Sequence, residues 1–306
     1  MFKDKLSSIM AHVAMLLALE SYEPNKPVES IKEKPIEIKV DEVENHEIAM
    51  PDISGPVENL PWQYDKEFLK ATKEHNANVL MGAFCSVLID PLPGEEHNVI
   101  LAASSVKGIV VKPNEIFSQN KSIGPYTKER GYRVGTSFAG PNLVETEGGG
   151  VCKIATTLYN VAVLCDLEIV ERHHHSMPVN YVPLGQDATV AYGHKDFRFR
   201  NNKDYPILIW SEIIGNRLYI GFYGQEKGPT VEWSHNIINT IKYPTHYREN
   251  SQLKEGENRV IIKGINGGTV ESKVIIRYKD GQVKTKNLGI SSYYPLPELI
   301  EIGVKK

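Results

Sequence analysis

Residues 148–152 read Gly-Gly-Gly-Val-Cys and lead into an apolar, helix-like segment with Cys152 in its first turn. Glycine opens main-chain conformations closed to other residues and lets a substrate approach the backbone. The first helical turn offers unpaired N–H groups at the positive end of the helix dipole. A thiol placed there ionises more readily, and the thiolate is the nucleophile. The same string also suits a small buried cysteine behind a flexible turn, so the local sequence leaves both readings open. A nucleophilic cysteine needs a base, most often histidine, and a third group to orient that base. Glu171-Arg172-His173-His174-His175-Ser176 follows closely enough for helix, turn and strand to fold back and bring an imidazole to the thiol. In a strand His173 and His175 share one face and His174 takes the other. Paired imidazoles can also ligate a metal, but no nearby CxxC or HExxH string supplies further ligands, so no metal is expected. Asp187 and Asp196 are the acidic candidates for the third group, and spacing prefers neither. Arg172 and Arg133 are possible carboxylate clamps.

The elements that must position these residues follow from periodicity. Helices are expected over 65–76, 98–106 and 152–165, the last with Leu158, Val161, Ala162 and Cys165 as its buried stripe. Strands are expected over 79–89, 108–111, 188–192, 197–200, 207–213 and 218–223, with a hairpin turn at Gly215-Asn216. Beyond residue 228 helical periodicity is almost absent, and Lys279-Asp280-Gly281 marks a second hairpin. The other two cysteines, Cys85 and Cys165, lie in apolar surroundings and are expected to be buried.

The chain has 306 residues, 41% of them hydrophobic and 24% charged, with a net charge of −3. That is ordinary globular composition. No basic run or interleaved aromatic platform marks a nucleic-acid footprint. Three cysteines exclude a disulfide scaffold. Residues 1–22 combine Lys3 and Lys5 with a short apolar run and read as a possible signal or anchor segment. That segment is the one expected route to a membrane. Residues 23–61 are Pro-, Glu- and Lys-rich without an apolar stripe and read as a disordered linker. Folded domains are then expected over 62–227 and 228–306.

Two family resemblances cover the chain. Pro113-Asn114-Glu115-Ile116-Phe117-Ser118-Gln119-Asn120, Gly148–Cys152, Thr156-Thr157-Leu158-Tyr159-Asn160, Glu171–Ser176, Tyr181–Gly185 and Asp196–Asn201 resemble the core of VanW-like proteins over residues 80–225. Glu255–Val260, Gly264, Gly267-Gly268, Tyr278–Gly281 and Pro297–Gly303 resemble the G-five domain over residues 230–304. The first family takes its name from a vancomycin-resistance gene cluster, is typical of Gram-positive bacteria and sits at the cell envelope. Some members have been assigned L,D-transpeptidase activity, in which a cysteine attacks a peptide stem and passes the acyl group to an amine. The second comprises extended extracellular β modules proposed to contact wall polysaccharide.

Together they imply an α+β fold, a mixed VanW-like domain followed by an extended all-β module, in an extracytoplasmic protein of the cell surface or cell wall. The resemblance carries over Cys152 as nucleophile, with His175 and His173 on the family's two histidine positions. Gly149, Gly150 and Lys153 would line the cleft or oxyanion site, and Asp187, Asp196 and Arg172 would support it. Lys153 stands where the family usually has Gln. The expected function is a cysteine-dependent acyl transfer on peptidoglycan of L,D-transpeptidase type, without cofactor. The alternative is a non-catalytic envelope protein that binds peptidoglycan precursor or cell-wall glycan. Stem peptides or wall glycan are the expected partners.

Overall fold

The structure is a computed structural model and describes residues 50–89, 94–139 and 142–304. The N-terminal segment, and the linker up to residue 49, lie outside the described residues.

A five-stranded antiparallel sheet forms the centre, in the order β1 (Gly55–Pro56), β2 (Val79–Val87), β10 (Arg217–Gly224), β9 (Ile207–Ile214), β3 (Val110–Val111). Successive residues of a strand face opposite sides. Phe84, Ile207, Ile209, Leu218 and Ile220 point into one core, while Ala83, Cys85, Leu208, Trp210 and Tyr219 point into a second. Both faces are covered, which explains why these strands read as unbroken apolar runs. Trp62, Phe68 of α1 (Lys66–Glu74) and Tyr223 close the second face, with Trp62 Nε1 donating to the Tyr223 hydroxyl at 2.8 Å. Gly55-Pro56 pairs with Cys85 and Phe84, and Val57 N–H donates to Ala83. Ordered structure therefore begins ahead of residue 62, because the edge of β2 recruits the end of the expected linker.

The first face is covered by α2 (Glu95–Val106) and α4 (Cys152–Leu164). The periodic stripe of α4 understates its burial, since every residue from Lys153 to Leu164 is buried. Its apolar side packs on β2 and β10. Its polar side is buried because it holds a crossing segment, residues 186–190. Thr156 Oγ1 donates to Ala188 O at 3.0 Å and accepts from Ala188 N–H at 2.9 Å, and Asn160 Nδ2 donates to Gln186 O at 2.8 Å. The sequence pattern predicts a strand over 188–192, but this segment does not extend into one. It forms only isolated bridges, such as His173 with Thr189, because the helix takes up the hydrogen bonds a neighbouring strand would make.

Smaller elements complete the layer: β4 (Ile116–Ser118), β8 (Arg198–Arg200) and β7 (Glu168–Glu171) form one sheet, the short helix α3 (Gln119–Ile123) follows β4, and β5 (Val134–Ala139) forms a hairpin with β6 (Asn142–Glu147).

From Thr230 to Gly303 the described elements are all strands. β11 (Thr230–Ile241), β14 (Gly267–Arg277) and β15 (Val283–Tyr293) form one antiparallel sheet. β12 (Thr245–Asn250), β16 (Glu298–Gly303) and β13 (Asn258–Ile262) form another, with β12 and β16 parallel. The first of these sheets shares a core with the preceding domain. Val274 and Ile276 are fully buried in the α4 core, and the Trp233 ring meets Tyr159 edge-on at 6.0 Å.

Candidate active site

Cys152 is the first residue of α4, and the glycines before it have packing roles. Gly148 and Gly150 take φ of +74° and +103°, a region that favours glycine. A Cβ on Gly148 would meet the Tyr126 Cβ at 2.4 Å. Asn98, buried in α2, clamps the loop: its amide donates to Gly149 O and to Arg133 O, each at 2.9 Å, and its carbonyl accepts from Arg133 N–H at 2.7 Å. The N–H groups of Gly149 and Lys153 are taken by Thr146 O and Gly150 O. They are not free to face an oxyanion. The N–H groups of Gly150 and Cys152 have no acceptor among the described residues.

The thiol is half-buried. Thr189 Oγ1 lies 3.3 Å from Sγ, and Val190 N–H points to it at 3.5 Å. His175 is close enough to the sulfur to interact with it by hydrogen bonding and by charge. Burial pushes the thiol up, but the His175 hydrogen bond and charge, together with Thr189 and Val190, more than offset this and bring Cys152 to about 7. Burial pushes Cys85 up to about 11 and raises Cys165 further. Both lie in the core and are chemically shielded.

His175 is held by Asp187. Its Nδ1 and its main-chain N–H both reach Asp187 Oδ2 at 2.7 Å. An ionised carboxylate only accepts, so Nδ1 carries the proton and Nε2 is left for the sulfur. Burial works against the imidazolium, but the Asp187 and Cys152 partners outweigh it and raise His175 to about 9. Asp187 is buried yet stays ionised, lowered to about 2, because the His175 and Arg172 interactions outweigh desolvation. The lowered thiol and the raised imidazole both favour the thiolate–imidazolium form of the pair.

The other expected residues lie differently. His173 does not face the thiol: its Nε2 pairs with Glu171 Oε1 at 3.0 Å. The alternation argument fails because β7 ends at Glu171. His174 turns its Nδ1 to His175 O at 2.7 Å and tilts against the Tyr293 ring. Asp196 organises another corner, accepting from Ser118 Oγ at 2.5 Å and from Asn120 N–H at 2.9 Å. Arg172 clamps no outside carboxylate. It donates to Asp187 O at 2.8 Å, Asp187 Oδ1 at 3.1 Å and Ser291 Oγ at 2.8 Å. Lys153 lends no charge to the sulfur, since its ammonium is buried against Glu95 Oε2 at 2.7 Å. Thr189, Asn98 and Tyr293 carry no local sequence signal; they are identified only once the crossing segment is seen on α4. Among the described residues no group of His, Cys, Asp and Glu has the arrangement of a metal site.

Residues 94–223 match the family described as VanW like protein, and residues 235–305 match the G5 domain. The uncharacterized protein YoaR of Bacillus subtilis is 34% identical over 174 residues, covering 57% of this chain. The chain spans 56% of the length of YoaR. The vancomycin B-type resistance protein VanW of Enterococcus faecalis is 26% identical over 211 residues, covering 67% of this chain and 72% of its own length. Among solved structures, the G5 domain of IgA1 protease is 28% identical and covers 26% of this chain and 98% of its own, with a TM-score of 0.17.

Proposed function

With a VanW-like domain followed by a C-terminal G5 domain as the premise, we propose that this chain is a cell-wall-associated protein that performs cysteine-dependent acyl transfer on peptidoglycan stem peptides. The observation that supports this is the chain Cys152–His175–Asp187. It has the order of nucleophile, base and orienting acid, with the thiol near neutrality and the imidazole held by a buried carboxylate. The Cys152 thiolate adds to a stem amide carbonyl to form a tetrahedral oxyanion. The N–H groups of Cys152 and Gly150, which have no acceptor among the described residues, would serve as donors to that charge. Imidazolium Nε2 then gives its proton to the departing amine as the C–N bond breaks, leaving a thioester on Cys152. An acceptor amine attacks the thioester, the neutral imidazole takes its proton, and the thiolate leaves. Every step uses this chain's own residues.

The G5 domain fits a wall setting, with wall glycan or peptidoglycan as its contact. A protein that only binds precursor has no need of a thiol poised by an imidazole and a buried carboxylate. Full-length protein incubated with defined muropeptides should form a cross-linked or exchanged product. The Cys152→Ala variant should form none. Equal product from both proteins would refute the transferase reading.

A further inference from the structure

Asp187 is enclosed on its far side by the C-terminal module. Tyr293, on β15, donates its hydroxyl proton to Asp187 Oδ1 at 2.5 Å and accepts from Gly185 N–H at 2.9 Å. Ser291 lies two residues earlier on the same face of the strand and takes the Arg172 guanidinium at 2.8 Å. Tyr294 N–H donates to Ser176 O at 2.8 Å, just past His175. Tyr293 and Ser291 are both 2% exposed, so water does not substitute for them. One carboxylate oxygen thus serves His175, and the other is held by Arg172 and by a tyrosine from another sheet.

We infer that Tyr293 is a positioning residue of the active site, so that the C-terminal module completes the Cys152–His175–Asp187 arrangement. The inference rests on Cys152 and His175 acting as a nucleophile–base pair. The physical basis is orientation. A buried carboxylate with two charge-assisted donors on Oδ1 cannot rotate, and a fixed Oδ2 keeps the imidazole aimed at the sulfur. With the tyrosine hydroxyl gone, Oδ1 keeps one donor, Gly185 N–H loses its acceptor, and the carboxylate is free to turn towards Arg172. The imidazole then supports the thiolate less well.

The test is the rate of Cys152 alkylation by iodoacetamide against pH, read by peptide mass spectrometry on the full chain. Tyr293→Phe keeps the ring against His174 and removes only the hydroxyl. Its midpoint should rise by about one pH unit, which slows alkylation at pH 7 about fivefold. Ser291→Ala should shift the midpoint in the same direction by less. Tyr294→Phe, whose ring is exposed, should match the unaltered protein. A merely structural role for Tyr293 would lower the melting temperature and leave the midpoint in place. A wild-type midpoint in Tyr293→Phe, with a shifted one in His175→Ala, overturns the inference and leaves the nucleophile–base reading intact. An unshifted midpoint in His175→Ala overturns that reading and the inference with it. Should Tyr293→Phe fail to fold, Ser291→Ala decides by the same criterion.

Discussion

Asp187 Oδ2 stands 2.7 Å from both Nδ1 and the main-chain nitrogen of His175. One oxygen thereby fixes the ring and the backbone of the same histidine, which determines the tautomer and the direction of Nε2 together. The carboxylate reaches that position because residues 186–190 are laid across α4 by Thr156 and Asn160. The catalytic proposal depends on this crossing as much as on the cysteine.

The three adjacent histidines should separate cleanly on substitution. His175→Ala removes the imidazole that lowers the Cys152 thiol and should reduce muropeptide turnover by about a hundredfold to ten-thousandfold. His174→Ala and His173→Ala remove rings that face Tyr293 and Glu171, and should keep turnover within about threefold of wild type, well short of a lost general base. Steady-state rates on one muropeptide, with circular dichroism to check folding, decide the matter.

Turnover should be bell-shaped in pH. Cys152 must lose its proton to attack, so the rate should rise through about 7. His175 must keep its proton to release the amine, so the rate should fall through about 9. In Cys152→Ala the thiolate no longer stabilises the imidazolium, and an NMR titration should place His175 lower than in the wild type. An unchanged His175 titration would show that the two groups are not coupled.

Lys153 matters for stability rather than for ionisation of the thiol. Lys153→Met breaks the buried Lys153–Glu95 ion pair and should cost about 3–5 kcal/mol. The pH midpoint of Cys152 alkylation should be unchanged in any fraction that remains folded. Chemical denaturation together with the alkylation profile checks both halves.

The C-terminal module should melt together with the domain before it. Ile276 on β14 is fully buried in the core built on α4, so Ile276→Ala should remove about 2–5 kcal/mol from the whole body. Calorimetry should show one transition displaced downward. Two transitions with only one displaced would restore the expectation that residues 228–306 form a separate unit.

The sequence made some of this legible and hid the rest for physical reasons. Cys152 stood out because a glycine run before a helix is rare and local. The strands β9 and β10 stood out because both their faces are apolar. The choice between Asp187 and Asp196 was invisible, since it is made by side chains of α4 that hold the segment after Gly185. Strand alternation puts His173 on the face of His175, but β7 ends at Glu171 and the rule does not hold beyond it. Tyr293 lies more than a hundred residues from Asp187 along the chain, and no local pattern links a β-strand tyrosine to a turn aspartate. The shared core was likewise hidden, because the alternation of β14 shows that one face is buried and not what covers it.

Acyl transfer through Cys152 requires a covalent acyl group on its sulfur. Intact-mass spectrometry of the full chain, quenched in acid during incubation with a muropeptide donor and no acceptor amine, tests it most directly. The expected result is a mass increase equal to the donor acyl group, mapped to the peptide carrying Cys152, removed by hydroxylamine and absent in Cys152→Ala. Donor turnover with no adduct on Cys152, or an adduct mapped to Cys85 or Cys165, would contradict it.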